Sequence, residues 1–456
     1  MEANTLPAFK VRMAMLHTLR FAAFRRAGMV CAWLIALQGC CPKQAPVDDG
    51  FLKKVGPVLM LHGKPFYEIS FNKFDLFWQM LAAEFGRKNF GADPLAAAER
   101  SLATLNSFGF KTIRLFLYDF GSISLYREPE TRLRYLHTID RMLDLCDKYD
   151  IRIVASLGLG DEKYAKAAGE TWVDLVANKD SKSRELAEAY ARTIVERYKD
   201  RPTIAMWEIQ NELLLAADIG GRERVWNKKM IPTLSEVAHF HKEMAGFIKA
   251  IDPNHLTTTG DSYRTSLWHQ NQVVEHGATH GMWTIDSWEQ LSSAVAKAQA
   301  GVDVFHIHDY DKGREGKFTI EPDGSKREIS FAAWKEVAAR QGQPLYIGEW
   351  GALAKQRNEK NADFWAKNPD WFDSFAGQRD KAKPIIQRCL DLIVADQVQL
   401  THWWAFESER QMDQVPHRMD FTMKETPEFV RMVAEANRRL QLATMGFTYA
   451  KDPAGP

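Results

Sequence analysis

The feature that most constrains this chain is a unit that recurs along it: a short apolar run, a stretch with helical periodicity, then a brief link to the next apolar run. The runs fall at residues 67–71, 112–117, 152–157, 203–210, 256–259, 302–308, 344–349 and 400–406. The helical stretches fall at about 94–108, 181–198, 235–251, 286–300, Phe331–Arg340, 383–398 and 427–440. Another lies between the second and third runs, where Leu136, Ile139, Leu143 and Cys146 form the stripe of a helix packed on a core. Asp93 before Pro94 is an N-cap followed by proline at the first helical position, where its missing N–H costs little. Phe429, Met432, Val433, Ala436 and Leu440 share one face of the last helix.

Buried strands joined through helices are parallel strands, and eight such units close into a (β/α)8 barrel, an α/β fold. No shift in composition splits off a second domain, so one barrel domain is expected over 57–445, with a C-terminal tail over 446–456. The pattern apolar, His62-Gly63-Lys64-Pro65, apolar predicts an N-terminal hairpin leading into the first barrel strand. Links from helix to strand are short. The long ones follow strands one, four, five, seven and eight, and these belong to the C-terminal mouth, where barrels of this kind carry their sites.

Two carboxyl groups end strands at that mouth. Thr203-Ile-Ala-Met-Trp-Glu-Ile-Gln-Asn-Glu212 is apolar until it stops at Asn211-Glu212, and Pro344-Leu-Tyr-Ile-Gly-Glu-Trp350 delivers Glu349 between Gly348 and Trp350. A facing pair of carboxyl groups is what glycosidic cleavage requires, one as acid to the leaving oxygen and one ionised beneath the sugar ring. Arg114 lies inside an apolar strand, where a charge needs a partner. Glu349 is the partner expected across the mouth, and a helix carboxylate outside the barrel is the alternative. Asn211 either reaches a sugar hydroxyl or caps the next helix.

On strand six His306, His308 and Tyr310 alternate and share a face. A His-x-His can also hold zinc, with His402 as the further ligand in reach, which keeps a zinc amidohydrolase-like barrel open as an alternative. Trp403 and Trp404 point to opposite sides of strand eight, so that one can pave the mouth. Phe77, Trp78, Trp268, Trp283, Trp365 and Trp371 are candidates for lining a groove, about half of them being expected in the core.

The order of these motifs on successive strands resembles clan A glycoside hydrolases, closest to family 5, the cellulase and mannanase superfamily. The resemblance covers about 58–440. It implies a retaining hydrolase of β-linked glycans, of β-1,4-glucan or β-mannan type, with Glu212 as acid/base and Glu349 as nucleophile. It also implies Asn211 as the contact to the sugar 2-hydroxyl, Arg114 and Tyr310 as supports of Glu349, His308 beside the acid/base, and Trp404 as sugar platform. Two departures stand out. Leu157-Gly-Leu-Gly160 occupies the end of strand three where many members have His, and Leu213 follows Asn211-Glu212 where Pro is common. A glycan-binding surface lipoprotein without catalysis is the other alternative.

The first 39 residues read as a sorting signal. Lys10, Arg12, Arg20, Arg25 and Arg26 precede the apolar run 27–37, which is too short to span a bilayer and leads to Gly39-Cys40. That ending resembles a lipoprotein box with Cys40 acylated, which implies a bacterial cell envelope location or, failing that, secretion; Met13 and Met15 are alternative starts. A polar tether is expected over 40–56. With 60 Lys and Arg against 59 Asp and Glu, the net charge of +1 excludes a steering field for nucleic acid. Cys146 and Cys389 are left as buried apolar residues without metal or disulfide spacing. The chain is thus expected to act as a monomer on an oligo- or polysaccharide without cofactor, touching a membrane only through its anchor.

Overall fold

The computed structural model describes residues 49–87, 90–119, 122–216, 231–276, 281, 283–310, 317–351, 379–407 and 426–445. The sorting signal, Cys40, Trp365, Trp371 and the tail from 446 lie outside these residues.

Three short antiparallel strands come first, β1 (Lys53–Val55), β2 (Val58–Leu61) and β3 (Lys64–Pro65). The turn from β2 to β3 is made by His62 at φ 52 and Gly63 at φ 71, the two left-handed residues that a two-residue hairpin needs to match the strands' twist. The expected hairpin is therefore present. It gains a third strand, β1, from the stretch expected as tether. Leu52 and Leu59 pack with Val154, Met206, Leu256, Val304, Tyr346 and Leu400, so this small sheet closes the floor of the barrel.

Among the described residues eight parallel strands form the barrel: β4 (Glu68–Asn72), β5 (Thr112–Phe116), β6 (Arg152–Ser156), β7 (Ile204–Glu208), β8 (Leu256–Thr258), β9 (Phe305–His308), β12 (Leu345–Trp350) and β13 (Leu400–Trp403). Their lateral order is β8-β7-β6-β5-β4-β13-β12-β9, and the parallel bridges Thr258↔Val304 and Ser262↔His308 join the two ends. β10 (Phe318–Ile320) and β11 (Lys326–Glu328) make a separate hairpin in the connection after β9. The helices begin where the side chains allow it. Asp93 caps Pro94–Ser107 by accepting from the Ala96 N–H, and Thr233 with Glu236 forms a capping box on Leu234–Ile251.

Strands β7 and β13 stop two and three residues before their apolar runs do, at Glu208 and Trp403, while Ile209, Gln210, Ala405 and Phe406 beyond them stay buried. Leu76–Phe85, expected as irregular, is a helix whose residues from Leu76 to Ala82 are all buried. A helix covered on all sides shows no polar stripe, and so no amphipathic signal. Phe77 and Trp78 therefore belong to the core, and the Trp78 indole N–H donates to the Tyr118 carbonyl at 2.6 Å. Cys146 and Cys389 are both buried.

Candidate active site

The site is built outward from Arg114, which is fully buried on β5. A guanidinium has five N–H donors in one plane and no acceptor, so burying it requires five acceptors in fixed places. All five are present. Nε and Nη2 donate to Glu208 at 2.5 and 2.7 Å, Nη1 to Glu349 at 2.8 Å and Asn72 at 3.0 Å, and Nη2 also to Asn211 at 2.7 Å. The expected partner across the mouth is thus found, and the alternative of a helix residue outside the barrel is not. Burial opposes the charge, but the two carboxylates outweigh it and hold the guanidinium protonated.

Glu349 reaches the mouth because β12 bulges. Tyr346 pairs with His306 and Ile347 with Ile307, but the next pairing is Glu349 with His308, so Gly348 is an inserted residue. Strict alternation from the inward-facing Tyr346 would turn Glu349 outward, and one extra residue resets it inward. The insertion has to be glycine: a Cβ at 348 would lie 1.8 Å from His306 Nε2. Glu212 is placed differently. It follows β7 at φ 54, a left-handed conformation uncommon outside glycine, and its N–H donates to the Gly260 carbonyl at 2.8 Å.

The two carboxylates meet over His308. One ligand atom each from Glu212, His308 and Glu349 lie within 4.8 Å of one another. His308 Nδ1 is 3.0 Å from Glu212 Oε1 and 3.4 Å from Glu349 Oε2. Tyr310 donates its hydroxyl to Glu349 Oε2 at 2.5 Å. Glu212 keeps 30 % of its side chain exposed to the mouth, whereas Glu349 keeps 6 %.

Burial pushes the His308 imidazole down to about 4, against the pull of Glu349, so at neutral pH it is uncharged. Burial also raises both carboxyl groups. The charges of Arg114 and Lys317 oppose this at Glu212, while Arg114 and the Tyr310 hydroxyl oppose it at Glu349. Two carboxyl groups this close do not both ionise freely. Glu349 accepts from a cation and a phenol, whereas Glu212 lies 3.0 Å from the neutral imidazole of His308. Arg114 and Tyr310 therefore favour the ionised form at Glu349, and Glu212 is the more exposed of the two.

Asn211 does not cap the segment that follows, which is a 3-10 turn over Leu213–Ala216; its Oδ1 is held by Arg114. Trp404 is half-buried and stacks on Phe74 with ring centres 4.5 Å apart, while Trp403 is fully buried at right angles to Trp350. Trp268 is half-buried and Trp283 is 57 % exposed.

The zinc alternative finds little here. Both ring nitrogens of His402 are engaged, one by Thr112 at 3.1 Å and the other by Tyr346 at 2.8 Å. His306 stands in the barrel interior beside Tyr346, its ring centre 5.1 Å from that of His308 but outside the cluster of Glu212, His308 and Glu349, and Arg114 already supplies positive charge there.

At the strand-three departure, Gly158 at φ 65 lies against the Tyr118 ring, where a Cβ would meet ring carbons at 2.6 Å. Tyr118 thus occupies the space that a side chain at 158 would need. Residues that sequence reasoning missed are Asn72, Gly348 as a bulge, and Glu208. For the last there was a signal: a carboxylate within an otherwise apolar buried strand, the argument already applied to Arg114.

Fold and carboxylate pair together have the arrangement that cleavage of a glycosidic bond would need, and similarity to known proteins narrows the class. Residues 84–376 match the cellulase family, glycosyl hydrolase family 5, and the chain belongs to that family. It is 25% identical over 248 residues to mannan endo-1,4-beta-mannosidase 2 of rice, covering 50% of this chain and 51% of that protein. It is 27% identical over 230 residues to mannan endo-1,4-beta-mannosidase 5 of Arabidopsis thaliana, covering 46% and 49%. The chain spans about half the length of the curated relatives it matches. Among solved structures, a family 5 mannosidase from Rhizomucor miehei superimposes with TM-score 0.57 at 15% identity, covering 87% of this chain and 99% of that one. The endo-1,4-beta-mannanase of the same fungus gives 0.53 at 17%, covering 86% and 99%.

Proposed function

We propose that this chain is a retaining glycoside hydrolase of β-linked glycans, acting on β-1,4-mannan. The observation that carries the reaction class is the pair Glu212 and Glu349, with oxygens within 4.8 Å of each other and His308 between them. Retention requires carboxyl groups about 5 to 5.5 Å apart, too close for a water between acid and base. Mannan is favoured over glucan because the relatives of known name are mannan-cleaving enzymes.

Glu349, ionised and fixed by Arg114 and Tyr310, attacks the anomeric carbon while Glu212 protonates the departing glycosidic oxygen. A covalent glycosyl-enzyme forms, with Glu212 left as a carboxylate. That carboxylate then takes a proton from a water that attacks the same carbon, and Glu349 leaves. Asn211 has its Oδ1 tied to Arg114, which leaves its amide N–H groups for the sugar 2-hydroxyl. Trp404, backed by Phe74, offers a flat face to the sugar. Cys40 is proposed as the lipid attachment point in a bacterial envelope, on the order of charged, apolar and small residues before it.

The test is reducing-sugar release from mannan, glucan and xylan, with product stereochemistry followed by NMR. Glu349→Gln is expected to abolish turnover while sugar binding survives, and Glu212→Gln to lose most activity on poor leaving groups. Turnover retained by Glu349→Gln, or an inverted product, would sink the assignment.

A further inference from the structure

Glu208 makes no bond in the reaction above, yet it holds Arg114 more completely than Glu349 does. We propose that Glu208 is a positioning residue for Glu349, acting through Arg114: it fixes the plane of the guanidinium and offsets its charge. This rests on Glu349 being the nucleophile.

The geometry is specific. Glu208 ends β7, is fully buried, and grips the Nε/Nη2 edge of Arg114 with both oxygens at 2.5 and 2.7 Å. Because the guanidinium is planar and rigid, a two-point grip on one edge leaves the Nη1 hydrogens only the directions in which Glu349 and Asn72 lie. The space for this carboxylate is made by a glycine: Gly260, at φ 90, lies so close that a Cβ there would sit 2.7 Å from Glu208 Cδ and Oε1.

The charge argument is separate. A carboxylate alone with an arginine drops by one to three pH units, which makes it a weak base and a poor nucleophile. A second carboxylate on the same cation cancels part of that drop. The other titratable groups around Glu208 leave this role to it. Tyr118 from the exit of β5 and Tyr346 from β12 are driven up by burial and stay protonated. His306 and His308 on β9 are driven down by burial and stay neutral, the nearer His306 nitrogen lying 3.7 Å from Glu208. Asp261, after β8, is raised by burial, with Glu208 adding to the rise.

Glu208→Gln keeps the shape, removes the charge and turns an amide N–H towards an arginine N–H. In the full chain, the acid limb of kcat/KM on mannan oligosaccharides should move down by about one pH unit, since Glu349 would then face an unshared cation. Its kcat should fall at least tenfold with KM within threefold. Glu208→Asp, which keeps the charge but shortens the grip, should lose kcat with the limb where the wild type has it. Labelling the wild type with 2-deoxy-2-fluoro-β-mannosyl fluoride and mapping the modified peptide tests the underlying assignment separately: a label away from Glu349 removes that reading. With the label on Glu349, an unmoved limb in Glu208→Gln overturns the inference. So does a limb that shifts in Glu208→Asp, or a loss in either variant explained wholly by less active protein.

Discussion

Lys163 offers a test of the energetics outside the site. It lies in the connection after β6, is 4 % exposed, and its Nζ makes no hydrogen bond. The ammonium sits 3.7 Å over the Tyr118 ring, beside a cavity of about 10 Å3 that also meets Tyr126 and Tyr164, room for a single water. Burial pushes this lysine down from 10.5 to about 8, with Asp161 and Asp119 only partly opposing. A folded-state value below the unfolded one means that the unfolded chain binds more protons between pH 8 and 10.5, so over that window stability rises with pH. At 1.36 kcal/mol per unit, the buried charge costs roughly 3 kcal/mol at pH 7. Lys163→Met removes the charge and lays a thioether on the same ring. Urea unfolding at pH 7 should show the variant more stable by about 2 to 3 kcal/mol, and the gap should close as pH rises through 8 towards 10.5. A variant that is less stable at pH 7, or a gap independent of pH, would refute the reasoning.

Two further substitutions probe the site. Tyr310→Phe removes the phenolic donor from the ionised form of Glu349. A hydrogen bond to a charged group contributes about 1.5 to 3 kcal/mol, so the acid limb of kcat/KM should rise by one to two pH units, opposite in sign to Glu208→Gln; a limb that stays or falls counts against the donor role. Gly348→Ala places a methyl 1.8 Å from His306 Nε2 in a filled interior, so either the ring or the bulge must move. A loss of at least 2 kcal/mol in urea unfolding and about 100-fold in kcat is expected, and wild-type values would mean that the bulge does not aim Glu349.

The barrel was legible in the chain because its signals are local and repeated. Each apolar run and each helical stripe is specified by its own residues, and Asp93 and Ser181 mark helix starts without reference to anything distant. The connection helix over Leu76–Phe85 was hidden for the opposite reason: its residues Leu76 to Ala82 are buried in succession, Gln79 among them, and so leave no polar stripe to mark a helical period. The candidate site shows the same division. Glu212, His308 and Glu349 could be named because each falls at or just beyond the end of an apolar run. How they are aimed could not, since it depends on one inserted residue in β12 and on a left-handed turn after β7, both set by neighbours far along the chain: His306 beside Gly348, and Gly260 beneath Glu212. Arg114 makes the point most directly. That a buried cation needs a carboxylate follows from its chemistry, and Glu349 was the partner sought; that it takes two requires counting five donors in one plane, and the second acceptor, Glu208, stood four residues before Glu212 in a run that otherwise looked like ordinary strand. A charge inside an apolar strand is therefore better treated as a question about every other such charge on the barrel's inner face than about the nearest mouth residue alone.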